Sequence, residues 1–234
     1  MPLILIGTGV SFDITLAGLE ALKACDKVYI ELYTNPIDFA AIEALERLCG
    51  KKIARLERNL VESEFLVEEA LSRTVCLLAS GDPLTATTHI TLLMDAKKRG
   101  IETKVIHNSS IHSVAPARAG LQIYRFGKTA TLVNPRPNYK PTSSLDIIRE
   151  NQRQNAHTLV LLDTEPQPME AKVALGMLSE FSHCVVLSRV GLGDERISYG
   201  TVEKLKEKDL GKPPFTIIVP ARLHPVEQEF LDSL

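Results

Sequence analysis

Short apolar runs alternate along the chain with longer segments in which apolar residues recur every three or four positions. The short runs are typical of buried strands, and the longer spacing is typical of amphipathic helices. In the first half the pattern predicts strands over residues 3–6, 28–31, 52–56, 75–79 and 103–107. It predicts helices between them over residues 16–25, 39–48, 60–71 and 88–99. Strands that alternate with helices indicate a mainly parallel sheet covered on both faces.

The second half changes character after the hydroxyl-rich link Asn108-Ser109-Ser110. Its pattern predicts a helix over residues 110–120 and strands over residues 129–133, 158–163, 184–190, 196–201 and 216–219. The segment GLGDE at 191–195 lies between two of these strands and predicts a hairpin, which requires antiparallel pairing. We therefore expect two α/β domains, residues 1–108 and 109–234. The first sheet should be mainly parallel and the second mixed, with a ligand cleft between the domains.

The composition is that of a globular protein, because 44% of the 234 residues are hydrophobic and 24% are charged. The apolar runs are far shorter than the roughly 20 residues that cross a bilayer, and no secretory signal pattern follows Met1-Pro2. We therefore expect a cytoplasmic protein without a membrane segment. The formal net charge is −2 and there is no basic stripe with interleaved aromatic residues, which argues against nucleic acid as a partner.

Neither the cysteines nor the histidines follow a metal-binding spacing. The cysteines form no Cys-X-X-Cys pair, and we expect all of them to be free thiols in a reducing compartment. No two histidines are four residues apart and no acidic cluster accompanies them, so no metal site is predicted. The cysteines are Cys25, Cys49, Cys76 and Cys184.

Two glycine-containing turns follow predicted strands. Gly7-Thr8-Gly9-Val10 follows the first strand, and Ser80-Gly81-Asp82-Pro83 follows the fourth. Both turns should lie at the carboxyl edge of the sheet, where open α/β sheets bind ligands. Asp82 has no basic residue close to it in sequence, so its carboxylate is a candidate partner for a polar or cationic part of a ligand.

A dinucleotide-binding fold is another interpretation of the first turn. Gly7, Gly9 and Glu31, which ends the second predicted strand, loosely match the glycine and acidic positions of such a fold. The third glycine of that motif is missing at the required spacing. A nucleotide-binding module of the NAD type is therefore the less favoured interpretation.

Several blocks along the chain carry a family resemblance. They are SGDPLTATTH at 80–89, VIHNSSI at 105–111, IYRFGK at 123–128, PP at 213–214 and VPARLH at 219–224. With these blocks the chain resembles, almost from end to end, the diphthine synthase family in the class III, tetrapyrrole-methylase-like group of S-adenosylmethionine methyltransferases. The Gly-Asp-Pro turn marks only the wider group, whereas the Ala-Thr-Thr-His continuation and the Phe-Gly-Lys segment narrow the resemblance to this family.

The resemblance implies transfer of methyl groups from S-adenosylmethionine to the amine of a modified histidine on translation elongation factor 2, during diphthamide formation. It also implies a homodimer, with the cofactor folded in the cleft between the domains. Matched motif by motif, the cofactor-binding residues are Val10, Asp82, Thr85, Ser110, Ile111, Leu162, Val190 and Phe215.

The chain departs from the family pattern in two places. Phe215 stands where the family is expected to carry a histidine, so a contact there would come from the backbone or the ring face. The segment 164–182 is shorter than expected for the family. The resemblance therefore does not assign the dimer surface or the surface that docks the factor.

Methyl transfer depends on positioning more than on strong acid–base groups, which suits a sequence without a recognisable catalytic triad. No catalytic residue is assigned. Glu31, Tyr33 and His89 are candidates for a general base, and bulk water is the alternative. A different enzyme of the same methylase group, acting on a tetrapyrrole or another small molecule, is the second interpretation of the function.

Overall fold

The computed structural model describes residues 1–34, 39–136 and 141–234. These residues divide into two units, Met1–Ser110 and Ile111–Leu234, and each unit contains a five-stranded sheet. None of the helices in the described ranges combines the length and the apolarity that a membrane span needs.

The first unit is built on a parallel sheet. Its strands are β1 (Leu3–Gly7), β2 (Lys27–Glu31), β3 (Ile53–Leu56), β4 (Val75–Ala79) and β5 (Thr103–Ile106). Its helices are α1 (Leu16–Ala24), α2 (Phe39–Cys49), α3 (Arg58–Val61), α4 (Phe65–Ser72) and α5 (Ile90–Lys98). The strand order is β3-β2-β4-β1-β5, and every pairing is parallel. The prediction of a parallel sheet with intervening helices is confirmed.

The central strands β1 and β4 are buried along their whole length, which explains their unbroken apolar runs. In β1, Leu3 and Leu5 pack into one apolar cluster, while Ile4 and Ile6 pack into another. Successive side chains of a strand point to opposite faces of the sheet. A strand covered on both faces must therefore be apolar at every position.

One predicted helix is divided in the structure. The spacing predicts a single helix over residues 60–71, whereas α3 and α4 are separated by a short break. The Ser63 hydroxyl donates to the Leu60 carbonyl at 2.7 Å and accepts from the Phe65 amide at 3.2 Å. A serine side chain that bonds to nearby backbone groups competes with helical hydrogen bonds, and the chain turns at that point.

A disulfide links Cys25, which follows α1, to Cys76 in β4, with the two Cα atoms 6.2 Å apart. Both residues are fully buried in the cluster that α1 and α2 form against one face of the sheet. The prediction that all cysteines are free thiols is therefore wrong for this pair, while Cys49 and Cys184 are free. The partners are 51 residues apart, so only the fold brings them together. The cysteines no longer argue for a reducing compartment.

The second unit contains a mixed sheet. Its strands are β6 (Ala130–Leu132), β7 (Thr158–Leu162), β8 (His183–Ser188), β9 (Arg196–Thr201) and β10 (Phe215–Val219), in the order β6-β7-β10-β8-β9. Its helices are α6 (Ile111–Arg118), α7 (Ser143–Arg153), α8 (Ala171–Met177), α9 (Val202–Glu207) and α10 (Pro225–Asp232). β6 and β7 pair in parallel, and the other three pairings are antiparallel. The predictions of a mixed sheet and of a hairpin between β8 and β9 are confirmed.

A buried carboxylate anchors α10 within the second unit. Glu227 is fully buried and accepts hydrogen bonds from the backbone amides of His224 at 2.8 Å and Gln122 at 3.1 Å, and from the guanidinium of Arg125. Burial raises the pKa of this carboxyl, but the hydrogen bonds and nearby positive charge outweigh burial and hold its pKa below the ordinary value. The blocks IYRFGK and VPARLH, which carry the resemblance, therefore meet at the ion pair of Arg125 with Glu227.

We expect Glu227→Gln to lower the free energy of unfolding by about 3 kcal/mol at neutral pH, because it removes one partner of a buried ion pair. The folded-state pKa of Glu227 is lowered. Its stabilising contribution is therefore present above the unfolded pKa of about 4.3 and is lost as the pH falls through the lower, folded-state pKa. Urea unfolding of both proteins should show a difference that narrows at acid pH. Glu229→Gln, at an exposed position of the same helix, is the control, and equal losses in the two variants would contradict the role of Glu227.

Candidate functional site

Two turns meet at the carboxyl edge of the first sheet. β1 and β4 are neighbours in register, with Gly7 opposite Ala79. Just beyond the strands, the Gly9 amide donates to the Gly81 carbonyl at 3.0 Å, and the Gly81 amide donates to the Gly9 carbonyl at 3.1 Å. Both turns therefore lie at the carboxyl edge of the first sheet, as the sequence predicts, and they contact each other through their backbones. Ligand binding at this edge stays a prediction.

The glycines are needed for this contact. A Cβ atom added to Gly7 would lie 2.5 Å from the carbonyl oxygen of Gly81, and one added to Gly9 would lie 2.3 Å from a carboxylate oxygen of Asp13. Gly9 and Gly81 also both have φ of +68°, a conformation that favours glycine. The glycines therefore serve first to bring the two turns together.

The Asp82 carboxylate is surrounded by donors from the protein. Its Oδ1 accepts from the Leu84 amide at 3.0 Å and the Thr85 hydroxyl at 3.1 Å. Its Oδ2 accepts from Nδ1 of His107 at 2.7 Å and from the Asn108 amide at 3.4 Å. Burial raises the pKa of Asp82, but these hydrogen bonds outweigh it, so the pKa lies below its ordinary value and the group stays ionised.

Asp82 has no basic residue close to it in sequence, but the fold brings one to it from 25 residues away. This partner is His107, which directly follows β5. Since a carboxylate has about four acceptor positions, the four protein donors occupy the side chain of Asp82. Its structural task is to shape the turn and to hold the His107 ring.

The loop that follows β5 is tied to the same two turns. The Asn108 side-chain amide donates to the Gly7 carbonyl at 3.1 Å and to the Asp13 carbonyl at 2.9 Å. The Ser109 hydroxyl accepts from the Val10 amide at 3.2 Å. The structure therefore brings together Val10, the Asp82–Thr85 turn and the loop that leads to Ser110.

The remaining predicted site residues belong to the second unit. Leu162 ends β7, Phe215 begins β10 and Val190 follows β8. β10 is antiparallel to both β7 and β8, so these three residues lie at one edge of the second sheet. Ile111 begins α6 and packs against the apolar cluster that contains Val190. Contact of these residues with a cofactor stays a prediction.

The three base candidates form internal contacts. Glu31 is fully buried and accepts from the Thr34 amide at 3.0 Å and the Ser80 amide at 3.4 Å, and burial raises its pKa. His89 is 1% exposed, and burial lowers its pKa. Its Nδ1 lies 2.9 Å from the Pro83 carbonyl oxygen, and its Nε2 lies 3.3 Å from the Tyr33 hydroxyl oxygen.

These contacts fix the proton positions on His89. Because a carbonyl oxygen only accepts hydrogen bonds, Nδ1 carries the ring proton and Nε2 accepts from Tyr33. Both ring nitrogens thus link the loops that follow β2 and β4. No group of three or more histidine, cysteine or acidic side chains able to hold a metal ion occurs among the described residues.

The polar residue that sequence reasoning missed is His107. It occurs in the matching block VIHNSSI, and its one distinguishing signal is that it directly follows a strand at the carboxyl edge. The hydrogen bond to Asp82 depends on neighbouring strands that are far apart in sequence, and no local pattern reveals it.

Comparison with known proteins gives consistent similarities along the chain. The family model described as Tetrapyrrole (Corrin/Porphyrin) Methylases matches residues 2–206. A diphthine synthase of Methanothermobacter thermautotrophicus is 40% identical over 247 aligned residues, covering 98% of this chain and 94% of that protein. A diphthine synthase of Methanocaldococcus jannaschii is 38% identical over 253 aligned residues, covering 99% and 98%. A crystal structure of diphthine synthase has a TM-score of 0.91 at 35% identity, covering 100% of this chain and 95% of that one.

We expect Asp82→Ala to lower the free energy of unfolding by about 1–3 kcal/mol, because buried donors in the turn lose their acceptor. Chemical denaturation of the purified variant measures this loss. Asp95→Ala is the control, since Asp95 is a half-exposed carboxylate paired with Lys98 and its loss should cost less than about 1 kcal/mol. If Asp82→Ala is as stable as the wild type, the carboxylate does not hold the turn.

Proposed function

The chain belongs to the diphthine synthases of the tetrapyrrole methylase family, and we propose that it methylates the amine of the modified histidine on translation elongation factor 2. The methyl donor is S-adenosylmethionine. The observation that carries the proposal is the near full-length similarity to diphthine synthases from two organisms. The arrangement of turns at the edge of the first sheet supports it, because that edge is where open α/β sheets bind their ligands.

The residues at this edge fit such a cofactor. Thr85 and Ser110 offer hydroxyl groups, and the glycine turns bring backbone groups to the edge of the sheet. In the second unit, Nδ1 of His112, directly after Ile111, is buried and has no hydrogen-bond partner among the described residues. Because buried polar atoms are normally hydrogen-bonded, this nitrogen is open to an atom of a ligand.

We assign the binding of the cofactor to the residues that the resemblance implies. Val10, Thr85, Ser110 and Ile111 would contact it, and Asp82 would fix the turn that presents Thr85. Leu162, Val190 and Phe215 would contribute from the second unit. When bound, S-adenosylmethionine supplies a methyl group attached to a sulfonium. The protein's own task is to hold the turns rigidly, since methyl transfer depends on the alignment of donor and acceptor.

A protein acceptor suits the charge of the chain. The formal net charge is −2, which offers no electrostatic attraction to RNA. An amine that reaches a site at a sheet edge must be carried on a long side chain that projects from its protein, and the extended histidine of elongation factor 2 meets this condition. We further propose that the enzyme works as a homodimer in the cytoplasm, together with its translation-factor substrate.

We expect the purified protein to add single methyl groups in succession to elongation factor 2 that carries the unmethylated intermediate. The protein is incubated with S-adenosylmethionine and the factor, and intact mass spectrometry follows the factor. A factor whose target histidine is replaced by alanine is the control and should gain no mass. Free histidine, tRNA and ribosomal RNA should also remain unmethylated.

Other outcomes point to the alternative functions. Methylation of a tetrapyrrole with the factor unchanged would favour a small-molecule methylase of the same group. If calorimetry shows that the protein binds NAD but not S-adenosylhomocysteine, the result would favour a nucleotide-binding module.

A further inference from the structure

The proposed reaction, on which this inference rests, requires an amine with a free lone pair. An aliphatic amine is largely protonated near neutral pH, because its pKa resembles that of lysine at about 10.4. A residue at the site that removes this proton would raise the rate by supplying the reactive form of the acceptor.

The candidates named from the sequence are engaged elsewhere. Both ring nitrogens of His89 are used by Pro83 and Tyr33, and the carboxylate of Glu31 is buried against backbone amides. Neither His89 nor Glu31 is exposed to solvent. A proton acceptor for a substrate amine must be sought among accessible groups at the same edge.

His107 is such a group. Its side chain is 65% exposed, and Nδ1 lies 2.7 Å from Oδ2 of Asp82. Because the ionised carboxylate only accepts, Nδ1 carries the proton in the neutral ring. The lone pair is then on Nε2, at the other side of the ring from Asp82.

We propose that His107 is the general base that takes the proton from the acceptor amine, and that Asp82 is the positioning residue that fixes its tautomer. The N–H bond of the ammonium breaks, an Nε2–H bond forms, and the electron pair stays on the amine nitrogen for methyl transfer. Nδ1–H of the imidazolium keeps its hydrogen bond to the Asp82 carboxylate, and the ring returns the proton on Nε2 to water. Among the described residues, the charged group that contacts His107 is Asp82.

The surrounding loop holds the base in place. Asn108 donates to the Gly7 carbonyl, and Ser109 accepts from the Val10 amide. Asp82 itself is held by the Leu84 amide and the Thr85 hydroxyl. His107 is therefore fixed to the same turns that carry the proposed cofactor contacts Val10 and Thr85.

The substitution His107→Asn tests this role. The asparagine amide keeps a donor for Asp82 but has no basic nitrogen. We expect kcat for methylation of the factor to fall by about 100-fold, with KM for the factor and the affinity for S-adenosylhomocysteine, measured by calorimetry, unchanged. The deficit should narrow as the pH is raised, because the amine then loses its proton to water. His183→Asn is the matched control, since that ring contacts the Ser182 hydroxyl rather than a carboxylate.

A second measurement does not depend on turnover. Nitrogen-15 NMR of the histidine rings at about pH 8.5, where a histidine is ordinarily neutral, should show His107 protonated at Nδ1 and unprotonated at Nε2. Asp82→Asn should lose this preference and lower kcat. The opposite tautomer in the wild type would overturn the assignment. A kcat of His107→Asn equal to that of the wild type would also overturn the role of His107, but it would leave the proposed function intact. A wild-type protein that does not methylate the factor would overturn both the role of His107 and the proposed function.

Discussion

Two backbone hydrogen bonds between Gly9 and Gly81 join the turns that follow the central strands of the first sheet. The polar geometry of that edge follows from this contact. The contact fixes the position of Asp82, which directly follows Gly81. The loop after β5 is attached to the first turn by hydrogen bonds of Asn108 and Ser109. The contact requires glycine because the two backbones approach more closely than a Cβ atom at Gly7 would allow. A packing constraint between two main chains thus determines the position of the side chains around it.

The side chains at this edge are largely oriented by the protein itself. Asp82 is held ionised by its donors, and His89 is held in one tautomer by a carbonyl oxygen and a hydroxyl. Groups fixed in this way need little rearrangement when a ligand arrives, which is the condition under which positioning lowers a reaction barrier. In the second unit a carboxylate is held in the same way, because the buried charge of Glu227 accepts hydrogen bonds from backbone amides and a guanidinium. There the hydrogen bonds stabilise the fold.

The sequence predicted the features that depend on local pattern. The apolar runs located the strands because β1 and β4 are covered on both faces, and the glycine turns located the edge of the sheet. The division between α3 and α4 was missed because it depends on a hydrogen bond of the Ser63 hydroxyl rather than on apolar spacing. The positions of Leu162, Val190 and Phe215 came from the resemblance, and antiparallel pairing around β10 accounts for their common edge.

Pairings between residues that are far apart in the chain could not be predicted from the sequence. The disulfide joins Cys25 to Cys76, and the hydrogen bond joins Asp82 to His107. Taken singly, the two cysteines have the sequence pattern of buried thiols, Asp82 that of a turn residue and His107 that of an exposed histidine. Only the order of strands in the sheet places them side by side, and that order is not encoded in any short segment.

The position of β1 between β4 and β5 has a consequence for synthesis of the chain. This strand leaves the ribosome before either neighbour, and its second neighbour ends only at Ile106. At roughly 5–20 residues per second, its apolar side chains wait on the order of 5–20 seconds for a complete sheet. The first glycine turn has no partner until Gly81 has been made, and the loop that carries His107 follows only after β5. The polar edge of the first sheet is therefore complete only when the whole first unit has been made. The nascent chain therefore passes through an exposed, aggregation-prone stage in which a chaperone has a hydrophobic strand to protect.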